Sequence, residues 1–141
     1  MRIVSLIPEA TEILSALGLA ADTLAMTPED AWRAGILRDR ATTLIFTSET
    51  AAGGGTPRHV VRWAVFRLCP KPRPAVYALE PASVGEILSD IKTVGDAVGR
   101  QATARSLIEA LRTRIDAVSL RSARALAAGA PRRIVWRRER L

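Results

Sequence analysis

Two rhythms of apolar and polar positions alternate along this chain. Short apolar, partly β-branched runs are each followed by stretches in which apolar residues recur every three or four positions. Residues 2–7 (Arg-Ile-Val-Ser-Leu-Ile) read as a buried strand. Pro8 then suits the first turn of a helix, where its missing amide costs nothing. Glu9 and Glu12 suit the positive end of that helix. Ile13, Leu14 and Leu17 repeat at helical spacing, and Gly18 follows as the stop. The pattern predicts a strand that runs directly into a helix over 2–18.

The same alternation continues. Residues 23–26 predict a second short strand, with a turn or cap at 27–30. Between 31 and 42, Trp32, Ile36 and Leu37 are scattered among charges without a period, and no element is predicted there. Residues 43–47 predict a strand, and the glycine-rich 51–57 a loop. Val60, Val61, Ala64, Val65 and Leu68 mark a helix over 59–68. The prolines at 70, 72 and 74 end it. Residues 75–79 predict another strand.

Ser83 and Glu86 then have capping-box form, ahead of an apolar face of Val84, Ile87, Leu88, Ile91, Val94 and Val98. Gly99 closes that helix. A long helix is expected from about Gln101 to Leu126, with Leu107, Ile108, Leu111, Ile115 and Val118 as its stripe. Gly129-Ala130-Pro131 stops it, and residues 132–136 begin like one more strand. Strands alternating with helices imply an α/β domain with a mainly parallel sheet. In such sheets ligands gather at the carboxyl ends of the strands.

Composition narrows the picture without deciding it. The chain has 141 residues, the length of one ordinary domain, and 48% of them are hydrophobic, enough for a real core. No apolar run approaches the roughly 20 residues that span a bilayer, and no secretory signal is visible. The net charge is +7, carried almost wholly by arginine, since lysine occurs only at positions 71 and 92. That balance permits contact with nucleic acid or anionic lipid, and also arises from a GC-rich coding sequence alone. Cys69 is the single cysteine, so the chain forms no internal disulfide and its redox compartment stays open.

Three stretches together carry a resemblance. Residues 2–19 open with a strand, a Pro-x-x-Thr-Glu turn (Pro8, Thr11, Glu12) and a helix finishing in Leu17-Gly18. Residues 75–81 followed by 83–95 form a strand, the pair Glu80-Pro81 and a capped helix. From Gln101 to about Ala128 runs a long helix. In order and spacing these resemble the helical-backbone substrate-binding proteins of the cobalamin and iron-siderophore type. The resemblance implies a Rossmann-like lobe over 1–99, an interlobe backbone helix over 100–128 and a stub over 129–141, with most of a second lobe missing. It further implies a non-enzymatic receptor without a cofactor, which binds cobalamin or a ferric siderophore and delivers it to an ABC permease outside the cytoplasm. The chain departs from the family pattern between Met26 and Thr43, after Thr47 and after Trp136.

Candidate chemistry follows the strand ends. Pro8, Glu9, Thr11 and Glu12 lie where the first strand hands over to a helix, whose free amides favour a polar or anionic ligand group; the same residues also read as helix capping alone. Thr27, Thr47 and Glu80 each end a predicted strand and are expected to line one cleft, with ordinary turn chemistry as the other reading. The expected ligand-binding set is therefore Pro8, Glu9, Thr11, Thr27, Thr47 and Glu80. His59 has no partner at metal-ligand spacing, so no metal site is expected. Cys69 reads as a small buried hydrophobe. Gly53-Gly54-Gly55 lacks the Gly-Lys-Ser/Thr ending of a phosphate loop, and no acid, base and nucleophile set converges, which argues against an enzyme. Arginines 132, 133, 137, 138 and 140 flank Trp136. This gives an alternative reading, a small basic α/β protein that binds nucleic acid through its C-terminal tail.

Overall fold

The computed structural model describes residues 1–51 and 55–131 and, of Leu37, the backbone alone. Four strands, β1 (Arg2–Ser5), β2 (Thr23–Ala25), β3 (Thr42–Thr47) and β4 (Ala75–Ala78), form one all-parallel sheet in the order β2-β1-β3-β4. Five helices connect or follow them: α1 (Pro8–Ala16), α2 (Pro28–Arg33), α3 (Arg58–Leu68), α4 (Val84–Ala97) and α5 (Gln101–Ala127). The chain leaves β1 towards one edge of the sheet, then returns past β1 to build the other edge. That reversal puts α1 on one face and α2 and α3 on the other.

Strand alternation assigns the two cores. Ile3, Leu44 and Phe46 point towards α1, α4 and the start of α5, where they meet Leu14, Leu17, Ile91, Val94 and Ala104. Val4 and Ile45, one position out of phase, point towards α2 and α3 and meet Ala31, Val61, Ala64 and Val65. Strand residues covered on both sides are apolar, which is why Ile3-Val4 in β1 and Leu44-Ile45-Phe46 in β3 read as continuous runs. Phe46 and its cross-strand partner Tyr77 stack with ring centroids 5.6 Å apart. Burying each large side chain of this kind contributes about 1.5–3 kcal/mol.

Helix ends follow local chemistry. Gly18, Gly99 and Gly129 each take a left-handed φ (78°, 70° and 83°) just past a helix. In all three the following amide reaches back across the last turn, as in Leu19 to Leu14 (2.9 Å), Arg100 to Gly95 (2.8 Å) and Ala130 to Ala125 (3.0 Å). This is the Schellman arrangement, which satisfies otherwise orphan carbonyls. At the start of α4 the Glu86 amide donates to Ser83 Oγ (3.2 Å), as the capping box predicts. The Glu86 carboxylate, however, accepts from the amide of Ala82 (2.6 Å) and not of Ser83.

Three expectations change. The first strand is shorter than 2–7: Ser5 Oγ donates to the Ile7 carbonyl (2.8 Å), turning the chain into Pro8 and α1. The unreadable 31–42 segment holds the end of α2 and a 3-10 turn at Ile36–Arg38, too short to repeat an apolar face, with Ala31 the one buried residue of α2. The stripe of α5 is buried only in part. Leu107, Ile108 and Leu111 pack on the core, but Ile115 and Val118 are 37% and 57% exposed. From Arg112 onward every described residue is exposed, so roughly 24 Å of helix runs clear of the domain. The strand expected at 132–136 and the arginine-rich tail lie outside the described residues. No helix among the described residues is long and apolar enough to cross a membrane.

Candidate functional site

The carboxyl ends of all four strands open into one cleft of about 760 Å³. Its floor is Ser5, Leu6 and Ile7 after β1. Its walls are the first turn of α1, the Ala25–Pro28 turn after β2, Ser48 and Gly55 after β3, and Leu79–Pro81 after β4. The centre of the cleft is the point where the chain reverses direction across the sheet, because helices diverge there to opposite faces and leave the strand ends uncovered.

Five of the six residues expected from the sequence, Pro8, Glu9, Thr11, Thr27 and Glu80, line this cleft. Four of them also have local work. The Thr11 hydroxyl lies 2.9 Å from Ser5 Oγ and 3.1 Å from the Ile7 carbonyl, tying α1 to the end of β1. Pro8 starts α1 without an amide, and Ile7 offers the helix no side-chain cap. Thr27 caps α2: its Oγ1 accepts from the Asp30 amide (3.1 Å) and donates to the Asp30 carboxylate (2.7 Å). Glu80 accepts from the Thr50 amide (2.6 Å), Thr50 Oγ1 (2.6 Å) and, more weakly, Ser48 Oγ (3.3 Å), fastening the loop after β3 to the end of β4. The Thr50 hydroxyl and amide hold the Glu80 carboxyl below the usual glutamate range, outweighing the desolvation that opposes them.

Thr47 does not line the cleft. It is fully buried, and its hydroxyl donates to the Thr56 carbonyl at 2.5 Å, bracing the far end of the loop that begins at Ser48. The next residue, Ser48, takes the lining position instead. In a strand successive side chains point to opposite faces, so an error of one residue moves the expected group from the cleft wall into the core. Ser48, Met26, Leu79 and Pro81 were missed. The available signal was adjacency to the strand ends already identified.

The charge of the cleft is one-sided. Glu9, Glu12 and Glu80 stand among its lining residues, and among the described residues no lysine or arginine does. Leu6, Ile7, Met26, Leu79 and the prolines at 8, 28 and 81 supply an apolar surface between them. The arrangement can hold a neutral or cationic molecule with a broad apolar body. His59 lies away from it on α3, exposed. Cys69 is buried in the core beneath α3, and that burial pushes its thiol up against a smaller opposing effect of Arg73. Among the described residues no three histidine, cysteine or carboxylate side chains cluster as metal ligands would.

The fold and cleft define a class, an α/β domain with a ligand-sized opening at the ends of a four-stranded parallel sheet. Comparison with protein-family models, with curated proteins and with solved structures gives no match.

Proposed function

We propose that this chain is the ligand-binding lobe of a solute receptor that serves an ABC importer for cobalamin or a ferric siderophore. The observation that carries the reading is the convergence of Pro8, Glu9, Thr11, Thr27 and Glu80 on one cleft at the strand ends. The long α5 supports it. Its first turns are built into the lobe while Ile115 and Val118 stay uncovered beyond it, as a helix linking two lobes requires. The three cleft carboxylates, with no lining cation among the described residues, favour a neutral corrinoid or a neutral to cationic ferric hydroxamate over a polyanionic ferric catecholate.

Calorimetric titration with cyanocobalamin, and in parallel with a ferric hydroxamate, tests the reading. Saturable binding in the micromolar range, about −8 kcal/mol, is expected for one of the two. Met26→Trp, which puts a larger ring into the wall of the cleft, should weaken it. No heat from folded protein with either ligand, or binding that Met26→Trp leaves intact, refutes the assignment.

A further inference from the structure

Away from the cleft, the solvent face of α3 joins exposed aromatic rings to unbalanced positive charge. His59, Arg62, Trp63, Phe66 and Arg67 follow three-and-four spacing and share one exposed face, while Val61, Ala64 and Val65 turn to the core. Phe66 and Trp63, at 64% and 62%, are the most exposed large hydrophobic side chains among the described residues. Between Glu49 and Glu80 the sequence has no acidic residue, yet it carries Arg58, Arg62, Arg67, Lys71 and Arg73. Arg58 is paired with Glu49 at 3.0 Å. The Arg73 guanidinium lies over the Phe66 ring at 4.7 Å and donates to the Phe66 carbonyl at 3.1 Å. Arg62, Arg67 and Lys71 are exposed, and no salt bridge joins them to a carboxylate among the described residues.

Charge and shape together choose the occupant. A second copy of the same face would set Arg62, Arg67 and Lys71 against their own likenesses, which opposes self-association. Single-stranded nucleic acid needs a basic groove that tracks its backbone beside the stacking rings. The α3 face is the outer side of a single helix, and the cavity beside it, next to Trp32 and Val60, is only about 20 Å³. A planar anionic layer with an apolar interior asks for no groove. It takes two projecting rings into its boundary and a surround of cations at its phosphates. We propose that α3 is a docking face for an anionic lipid surface: Trp63 and Phe66 enter the headgroup boundary, and Arg62, Arg67, Lys71 and Arg73 pair with lipid phosphates. The cleft opens at the strand ends and not on this face, so docking would leave it accessible.

Cosedimentation of the full chain with vesicles of phosphatidylcholine, with or without about 30% phosphatidylglycerol, tests this. Binding is expected to the anionic vesicles alone, weakening as salt is raised. Arg62→Gln with Arg67→Gln should lower partitioning about thirty-fold. Trp63→Ser with Phe66→Ser should bring it to the level of neutral vesicles, with an unchanged circular dichroism spectrum. Absence of binding to anionic vesicles overturns the proposal. So does binding that both double variants leave unchanged, as a C-terminal arginine cluster acting alone would give. Loss of oligonucleotide binding in these variants, with no vesicle binding by the parent, would assign the face to nucleic acid and overturn it equally.

Discussion

Gly95 sits in α4 where that helix crosses the start of α5, and it is buried there. A methyl group added at this position would overlap Ala104 Cβ, far inside the about 3.5–4.0 Å at which two carbons sit comfortably, and would lie 3.4 Å from the Arg100 carbonyl. Ala104 is itself buried and has no rotamer by which to move aside. Gly95→Ala therefore forces the two helices apart and loosens Ile91, Val94, Leu107 and Ile108 in the shared core. Overpacking of this kind costs about 1–3 kcal/mol. Replacing glycine by alanine inside a helix returns about 1 kcal/mol, so a net loss of up to about 2 kcal/mol is expected. Ala104→Gly alone should cost a similar amount, from helix propensity and one lost buried methyl. The double variant moves the methyl from α5 to α4 and should return to within about 1 kcal/mol of the parent, a coupling of about 2 kcal/mol. Urea unfolding followed by circular dichroism measures all three, with midpoint shifts of about 1 M at ordinary m-values. Additive effects of the two substitutions would refute the close α4–α5 approach.

Three further outcomes follow from particular contacts. Asp90 has one carboxylate oxygen buried without a hydrogen-bond partner among the described residues, and desolvation, then Glu86, raises its carboxyl above the aspartate range. A raised value makes ionisation a cost in the fold. Stability should thus be gained as pH falls through the raised value and lost as pH rises through it. Asp90→Asn should stabilise the protein at neutral pH by up to about 1 kcal/mol, reduced by the partial exposure of the group. Thermal melts should show the difference vanish below the ordinary aspartate value of about 3.9. Glu80 has the opposite sign: its anchoring of Thr50 is full above the usual glutamate pKa and is lost as pH falls through a lower value. The Thr50 amide shift should titrate with a midpoint below about 4.3, and Glu80→Gln should remove that titration. Thr47→Val should cost about 1 kcal/mol in chemical unfolding, through the lost bond to Thr56. It should leave ligand affinity unchanged, because Thr47 does not reach the cleft.

Periodicity and punctuation were enough to read most elements of this chain. The strands around Ile3, Ile45 and Val76 announce themselves as apolar runs. Gly18, Gly99 and Gly129 mark helix ends because a left-handed φ suits glycine above all other residues. Ser83 starts α4 through a contact within four residues. These are local rules, satisfied by near neighbours, so the chain states them in one dimension. The α/β class and the expectation of a site at the strand ends follow from them by general topology, which singles out Pro8, Glu9, Thr11, Thr27 and Glu80, all lining the cleft.

What only the tertiary structure decided depends on partners distant in sequence. Thr47 and Ser48 are both small, polar and at the end of β3; pairing with Thr56 and Glu80 chooses which is core and which is wall. The stripe of α5 has one apolar pattern from Leu107 to Val118. Packing against α4 and the sheet stops at Leu111, and no periodicity could show where that cover ends. The tight crossing at Gly95 and Ala104 joins residues on two helices, and helix propensity alone would favour alanine at both positions. The rings of Trp63 and Phe66 would have been equally consistent with a core. They lie outside because Val61, Ala64 and Val65 already fill the side of α3 that faces the sheet, and a packed interior has no room for both.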